Sequence, residues 1–271
     1  MQIPSIDLGG EGELVHMAHA NGFHPMMYRD LMSTLTSRYT VKAKLFRPYW
    51  SDDYTKLKSW KLLGDDLIEY FDQEGFKNVI GIGHSMGGIA SVLAMAKRPD
   101  LFSKLVLLEP VILMPRYYLS RFLPKKLRLR IIPVAKIALK RKDHWDSKEH
   151  AYQALKSKRV FKDIPDNVFR DYINYGTKDH PDGGVTLSYS KEWEAQVYMN
   201  SANPWPALKA LKIPVLIVRG ANTNVISNES WHFMKSTLKS FTFKEIEDGG
   251  HLVPFEKKSE ISKLILDFIG A

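Results

Sequence analysis

Short apolar runs of strand length alternate with stretches of helical periodicity towards both ends of the chain. We expect strands at 13–18, 39–46, 78–82, 104–108, 213–218 and 241–246, and helices at 26–36, 57–71, 86–97, 230–238 and 256–268. Buried strands separated by helices are typical of a mainly parallel sheet that is covered by helices on both faces. The alternation therefore predicts an α/β fold built on such a sheet.

The middle of the chain breaks this alternation. From about residue 113 to residue 206 the sequence contains basic helical patches and scattered prolines, and no buried strand is visible. A chain of 271 residues has room for one large α/β domain with a smaller insertion. We therefore expect a core formed by residues 1–112 and 207–271, interrupted by a mainly helical cap at 113–206.

The positive charge of the chain is concentrated in this expected cap. The formal net charge is +9, and residues 116–162 contain 15 Lys or Arg against 3 Asp or Glu. Such a segment is either a solvated helical surface or a contact site for an anionic partner. Because basic and apolar residues alternate over 123–142, weak contact with an anionic membrane surface is one hypothesis. No feature predicts a nucleic-acid partner, and the oligomeric state stays open.

Composition excludes several other classes of protein. The chain has no cysteine, which excludes disulfides and thiolate metal sites. Residues 1–12 lack a basic start followed by an apolar run, and no apolar run approaches the ~20 residues of a membrane-spanning helix. We therefore expect a cytoplasmic protein. A dinucleotide loop would need glycine where Met86 stands, so no cofactor and no metal are expected.

Residues 83–87 read Gly-His-Ser-Met-Gly, which is a G-x-S-x-G nucleophile elbow. The bare pattern arises by chance in about one chain in ten of this length. The elements that flank it must therefore show whether it is a nucleophile elbow. Here an expected strand precedes it and an expected helix follows. In that context the serine hydroxyl projects from the end of the sheet on a sharp turn. Ser85 is therefore the candidate nucleophile, and a purely structural serine is the alternative.

A serine hydroxyl needs a neighbouring base to act as a nucleophile near neutral pH. Among nine histidines, His251 stands just after the last expected strand and follows the paired glycines 249 and 250. Loops after the carboxyl ends of parallel strands face one crevice, so this loop can meet the elbow. His251 is therefore the candidate general base, and a surface histidine is the alternative.

These motifs resemble the capped α/β-hydrolase superfamily, which includes esterases, cofactor-free haloperoxidases and carbon–carbon bond hydrolases. Residues 83–88 resemble the family elbow, residues 249–251 its histidine loop, and residues 19–23 its His-Gly loop. The resemblance implies the α/β-hydrolase fold and an oxyanion hole formed by the backbone N–H groups of Met86 and Asn21. Ala20 replaces the usual glycine, so an ordinary turn at Asn21-Gly22 is the alternative.

The third member of the triad departs from the family pattern. Asn224 stands in the loop where the family usually places an aspartate, and asparagine cannot stabilise an imidazolium by charge. Glu109 directly follows the strand expected at 104–108, and some branches of the superfamily carry the acid at that strand. Glu109 is therefore the expected acid, Asn224 is a less favoured triad position, and Asp248 is too close in sequence to His251.

Together these residues predict a serine hydrolase that cleaves a carboxylic ester or thioester through an acyl-enzyme on Ser85. The expected partner is a small acyl substrate, apolar because the cap is rich in aromatic and apolar residues. Carbon–carbon cleavage and perhydrolysis by a cofactor-free haloperoxidase are alternatives on the same residues. A binding protein that keeps the fold without catalysis is the alternative from another class.

Overall fold

A seven-stranded sheet forms the centre of the molecule in the computed structural model, which describes residues 2–270 apart from the side chains of Arg121 and Lys125. The strands that the structure describes are β1 (Ser5–Gly9), β2 (Glu13–Ala18), β3 (Tyr39–Lys44), β4 (Val79–His84), β5 (Phe102–Leu108), β6 (His144–Trp145), β7 (Thr177–Asp179), β8 (Val185–Leu187), β9 (Val215–Gly220) and β10 (Thr242–Ile246).

The order of the large sheet is β1-β3-β2-β4-β5-β9-β10. β1 runs antiparallel to β3, and the other neighbouring pairs are parallel. The mainly parallel sheet expected from the sequence is thus confirmed. β1 was not expected because its residues are exposed or half-buried, so this edge strand lacks the apolar run of a buried one.

Helices cover both faces of the sheet. The α-helices are α1 (Arg29–Met32), α2 (Lys61–Glu74), α3 (Met86–Lys97), α4 (Lys125–Ile131), α5 (Pro133–Lys140), α6 (Lys148–Lys156), α7 (Asp166–Gly176), α8 (Lys191–Met199), α9 (Trp205–Ala210), α10 (Asn228–Thr237), α11 (Val253–Glu256) and α12 (Lys258–Ile269). Within residues 2–270, no helix combines the length and the apolar character needed to cross a bilayer.

Alternating residues of the central strands pack into two separate apolar clusters. In β5, Leu105 and Leu107 join the cluster that includes side chains of α2 and α3, whereas Val106 and Leu108 join the cluster that includes side chains of α12. Successive side chains of a strand point to opposite faces, so a strand covered on both sides has to be apolar throughout. This is why the core strands appear in the sequence as continuous apolar runs.

The helix expected at 26–36 is much shorter in the structure. A 3₁₀ turn at Pro25–Tyr28 leads into the four-residue α1, and the helix ends there. The hydroxyls of Ser33, Thr34 and Thr36 each donate a hydrogen bond to a backbone carbonyl three residues earlier. Serine and threonine hydroxyls compete in this way with helical backbone bonding, which explains the early end.

Residues 113–206 contain helices α4 to α8 and also a three-stranded antiparallel sheet in the order β6-β8-β7. No buried strand was visible there in the sequence, and these three strands have only two or three residues each. Strands of two or three residues are too short to produce a readable alternation. The segment's expected end at residue 206 falls inside α9, whose Trp205 packs into a core cluster, so the return to the core begins at that helix.

Candidate active site

Ser85 occupies the sharp turn between β4 and α3. Its backbone has φ 55° and ψ −117°, a conformation that is strained for a residue with a side chain. The flanking glycines permit close backbone contacts, because a Cβ atom at Gly87 would lie 2.2 Å from the carbonyl oxygen of Ala18. A Cβ atom at Gly83 would lie 2.5 Å from the Cα of Gly88. Only glycine fits at these two positions of the elbow.

His251 lies in the loop between β10 and α11 and faces the elbow. Its Nε2 is 3.1 Å from the Ser85 Oγ, and its Nδ1 is 3.0 Å from the Glu109 Oε2. A carboxylate can only accept, so Nδ1 carries the proton and donates to Glu109. Nε2 is then free to accept the proton of the serine hydroxyl. The structure thus joins Ser85, His251 and Glu109 in one hydrogen-bonded chain.

Glu109 is fully buried and contacts the loop that follows the neighbouring strand. β5 and β9 are parallel neighbours, with Leu108 beside Val218, so Glu109 leaves the sheet next to the start of that loop. Its Oε1 accepts from the Gly220 N–H at 2.6 Å, and its Oε2 accepts from the Thr223 hydroxyl at 2.7 Å. With His251, three donors fix this carboxylate.

The two other candidates for the third triad position do not contact the His251 ring. Asn224 is exposed, and Asp248 is exposed with a backbone φ of 54°. Among residues 2–270, neither side chain forms a hydrogen bond with the imidazole of His251. The loop turns Thr223 towards Glu109 and leaves Asn224 at the surface, which removes Asn224 from the triad. The sequence analysis did not identify Thr223. The only indication was its position in the loop where the family usually has the aspartate of the triad.

The two candidate oxyanion donors lie on adjacent elements. Met86 is the first residue of α3, where backbone N–H groups have no partner within the helix and the helix dipole is positive. Asn21 follows β2, whose Ala18 is paired with Gly83 of β4. Among residues 2–270 the Asn21 N–H has no hydrogen-bond partner. Its side chain contacts the cap, accepting from the Tyr189 hydroxyl at 2.6 Å and donating to the Glu194 carbonyl at 3.2 Å.

A second histidine connects these parts of the site. His84 directly precedes Ser85, and its Nε2 donates to the carbonyl oxygen of His251 at 2.9 Å. Its Nδ1 accepts from the Tyr28 hydroxyl at 2.7 Å, and that hydroxyl accepts from the Ala20 N–H at 3.1 Å. Burial, with a smaller effect of His251, holds the pKa of His84 well below its usual range, so the ring stays neutral. Sequence reasoning missed this network, because His84 is a variable position of the motif.

The cap presents polar groups beside the oxyanion loop. Arg141 pairs with Glu194 at 2.5 Å and donates to the Tyr172 hydroxyl at 3.0 Å. Several aromatic residues of the cap make structural contacts or lie at the surface. The indole N–H of Trp193 donates to the Ser51 carbonyl and that of Trp205 to the Leu113 carbonyl, while Tyr117 and Phe122 are exposed. The bond from Trp193 joins the cap to the core, and the bond from Trp205 connects the two ends of the cap segment.

A parallel sheet covered on both faces, with a serine elbow after one strand and a histidine loop after the last, defines the α/β-hydrolase class of proteins. A family model described as the alpha/beta hydrolase family matches residues 17–261. The chain belongs to this family, and the α/β-hydrolase fold expected from the sequence is confirmed.

Proteins similar to this chain include hydrolases and an acetyltransferase, according to their names. The chain is 25% identical to the uncharacterized hydrolase YugF of Bacillus subtilis, over 89% of this chain and 84% of that protein. It is 27% identical to ethanol acetyltransferase 1 of Wickerhamomyces anomalus, over 78% of this chain and 56% of that protein. The crystal structure of E-2-(acetamidomethylene)succinate hydrolase superposes with a TM-score of 0.82 at 22% identity, covering 98% of this chain and 94% of that one. This last likeness concerns the fold alone.

Proposed function

We propose that the protein is a serine hydrolase that cleaves a carboxylic ester or thioester through an acyl-enzyme on Ser85. The observation that carries the proposal is the continuous hydrogen-bonded chain from Glu109 through His251 to the Ser85 hydroxyl, with contacts of 3.0 and 3.1 Å. Nucleophile, base and orienting acid in mutual hydrogen-bond contact are the arrangement that activates a serine for acyl transfer.

The first half-reaction forms the acyl-enzyme. The Ser85 Oγ bonds to the carbonyl carbon of the ester while its proton passes to the His251 Nε2, and the carbonyl oxygen becomes an oxyanion. We propose that the backbone N–H groups of Met86 and Asn21 stabilise this charge, each donor contributing about 3 kcal/mol. When the intermediate collapses, the bond to the alcohol oxygen breaks, and that oxygen takes the proton from Nε2. Glu109 stabilises the transient imidazolium.

The second half-reaction releases the acid. Water takes the place of the alcohol, gives its proton to the His251 Nε2, and bonds to the acyl carbon. The resulting intermediate collapses, the bond to the Ser85 Oγ breaks, and the serine recovers its proton from Nε2. The same base therefore serves both steps, which requires it to return to the neutral form between them.

The substrate we propose is a small acyl ester or thioester. The apolar pocket expected from the sequence needs revision near the oxyanion loop, because Arg141, Glu194, Tyr172 and Tyr189 place polar groups there. The hydroxyl oxygen of Tyr49 is buried without a hydrogen-bond partner among residues 2–270. Buried hydroxyls are usually bonded, so an acyl group that carries a hydrogen-bonding substituent suits this region better than a plain alkyl chain.

The proposal is tested by steady-state hydrolysis of a series of p-nitrophenyl esters and acyl thioesters. We expect turnover by the wild-type protein and a fall of at least about 10⁴-fold in the Ser85→Ala variant. Ser91→Ala is the matched control, since Ser91 is a fully buried serine of α3 that donates to the Gly87 carbonyl. Equal activity of wild type and Ser85→Ala would refute an acyl-enzyme on Ser85.

Transfer of the acyl group to an alcohol is a second candidate, favoured by the similarity to ethanol acetyltransferase 1. It uses the same acyl-enzyme and differs in the acceptor of the second step. Product analysis by gas chromatography separates the two, because transfer yields the new ester when ethanol is added and hydrolysis yields only acid.

The alternatives kept from the sequence have their own assays. Carbon–carbon cleavage is tested with a vinylogous diketone, and perhydrolysis with peroxide plus a carboxylic acid. A non-catalytic binding protein would show neither reaction and no ester turnover. The hydrogen-bonded contact between Ser85 and His251 argues against that last alternative.

A further inference from the structure

One stretch of the cap combines high positive charge with unusual exposure of apolar side chains. Residues 116–142, the basic cap face, contain ten Lys or Arg and no Asp or Glu. Among residues 2–270, eight of the ten most exposed large apolar side chains lie in this stretch. Phe122 is 74% exposed, Ile137 is 67% exposed and Leu119 is 65% exposed. An apolar cluster of this kind on a protein surface marks an interaction site.

The two helices of the basic cap face turn most of their larger apolar side chains to solvent, although Leu129 of α4 is half-buried. In α5 the small residues Ala135 and Ala138 are buried against Ala195 and Met199 of α8, while Val134 and Ile137 are exposed. In α4, Leu127 and Ile131 lie four residues apart and are exposed too. A surface helix of a globular protein ordinarily buries its larger apolar residues, so this arrangement is the reverse of the usual one.

Most of the charges on this face lack an acidic partner. Arg116 pairs with Glu229 and Arg141 pairs with Glu194. Among the described side chains, six cations have no carboxylate oxygen within 4.0 Å: Lys126, Arg128, Arg130, Lys136, Lys140 and Lys142. Arg128 donates instead to the carbonyl oxygen of Met199 and to the side-chain oxygen of Asn200. All of them except Arg128 are exposed and alternate along the chain with the exposed apolar residues, so they remain available to an anionic partner.

We propose that the basic cap face binds an anionic lipid surface, with its apolar side chains inserted at the boundary between headgroups and acyl chains. Basic and apolar residues interleaved on one helical surface bind membranes by combining buried apolar area with attraction to anionic headgroups. A nucleic acid would use the cations but gains little from isoleucine, valine and leucine side chains. A second copy of this chain would bring ten like charges together on each side.

The test is flotation of the purified full-length Ser85→Ala protein with vesicles of phosphatidylcholine alone or with about 30% phosphatidylglycerol. This variant keeps binding separate from turnover, so a failure of the hydrolase proposal leaves the result interpretable. We expect flotation with the anionic vesicles at low salt, at least about 10-fold weaker binding to neutral vesicles, and a comparable loss at about 0.5 M salt.

Two sets of substitutions assign the binding to this face. Glutamate at Lys126, Arg130, Lys136 and Lys140 should abolish flotation, and serine at Phe122, Ile131 and Ile137 should weaken it at least about 10-fold at constant charge. The matched control places glutamate at four exposed lysines of the core, namely Lys209, Lys212, Lys239 and Lys263. Because all substituted side chains are exposed, circular dichroism melting should show each variant folded.

Several outcomes would overturn the proposal. One is the absence of flotation with anionic vesicles at low salt. Another is an equal loss of flotation in the control variant with glutamate at four core lysines. Dimerisation that requires Phe122, Ile131 and Ile137 without vesicle binding would assign the face to a second copy. Binding to RNA alone would assign it to nucleic acid.

Discussion

Glu109 reaches from the end of its own strand to the loop that follows the neighbouring strand. It follows β5, yet it accepts hydrogen bonds from the Gly220 N–H and the Thr223 hydroxyl, which belong to the end of β9 and its loop. The spacing of neighbouring strands is about 4.8 Å. The side chain of glutamate, which is one methylene longer than that of aspartate, reaches across this offset. The loop after β9 therefore supplies hydrogen-bond donors to the carboxylate that we propose as the triad acid.

Replacing this carboxylate tests its role directly. Glu109→Gln should lower kcat by about 10³-fold or more, because an amide fails to stabilise the imidazolium and can favour the wrong tautomer of His251. The comparison is Asn224→Ala, where we expect a change of less than about 3-fold since Asn224 is exposed. Steady-state ester hydrolysis measures both, and small, similar losses in the two variants would contradict the assignment of Glu109.

The Tyr28 hydroxyl is a positioning group that connects Ala20 with His84. Tyr28→Phe removes both hydrogen bonds at nearly constant volume, so we expect kcat to fall about 10-fold to 100-fold with KM within about 3-fold. The control is Tyr70→Phe, since Tyr70 is equally buried on α2 and lies outside the site. A loss of thermal stability with unchanged kcat would mean that Tyr28 is only structural.

At the level of elements, strand ends bring the candidate residues together. Asn21 follows β2, Ser85 follows β4, Glu109 follows β5 and His251 follows β10, and parallel strands place these ends on one edge of the sheet. Because apolar runs locate the strands, and loops after parallel strands face one crevice, this meeting was predictable without knowledge of the strand order. The result is a rigid frame in which one glycine-rich turn presents the serine.

The parts of the structure that could not be predicted have no apolar periodicity in the sequence. β1 and the cap strands β6, β7 and β8 are short or exposed, so they carry no readable alternation. Thr223 and His84 depend on which way a loop or strand side chain points after packing. Such orientations follow from contacts between segments far apart in the sequence, such as Glu109 and Thr223, and not from local composition.

Substitution of Gly87 tests the close packing of α3 against β2 at the elbow. Gly87→Ala would place a Cβ atom 2.2 Å from the Ala18 carbonyl oxygen, so α3 and β2 have to shift. We expect a loss of about 3 kcal/mol in the free energy of unfolding and a large loss of turnover. Gly176→Ala is the control, because a Cβ there would meet only Tyr172, at 4.0 Å. Urea unfolding measures both, and equal stabilities would contradict the packing at the elbow.

At the level of the whole molecule, several histidines are buried in the neutral form. Burial lowers the pKa of His16 and of His19 to about 3, and that of His24 to about 4. The unfolded chain binds protons at these histidines as the pH falls through about 6.5, whereas the native form does not. Protons therefore favour unfolding between about pH 6.5 and the native pKa values.

As the pH is lowered, the protein should therefore lose stability at a higher pH than it would from titration of its carboxyl groups alone. We expect the urea midpoint to be constant above about pH 7 and to fall clearly between about pH 6.5 and pH 5. His16→Gln should make this fall shallower, while His232→Gln, at an exposed histidine, should leave it unchanged. A midpoint that is flat from pH 7.5 to pH 5 would contradict the buried neutral histidines.

The most direct measurement of the central claim is the intact mass of the protein after incubation with a fluorophosphonate probe. We expect one adduct on the wild-type protein, none on Ser85→Ala, and one on Ser91→Ala. We also expect labelling of Glu109→Gln at a rate lower by about 10²-fold or more. A well-folded wild-type protein that acquires no adduct, or an adduct that persists in Ser85→Ala, would contradict an activated serine at Ser85.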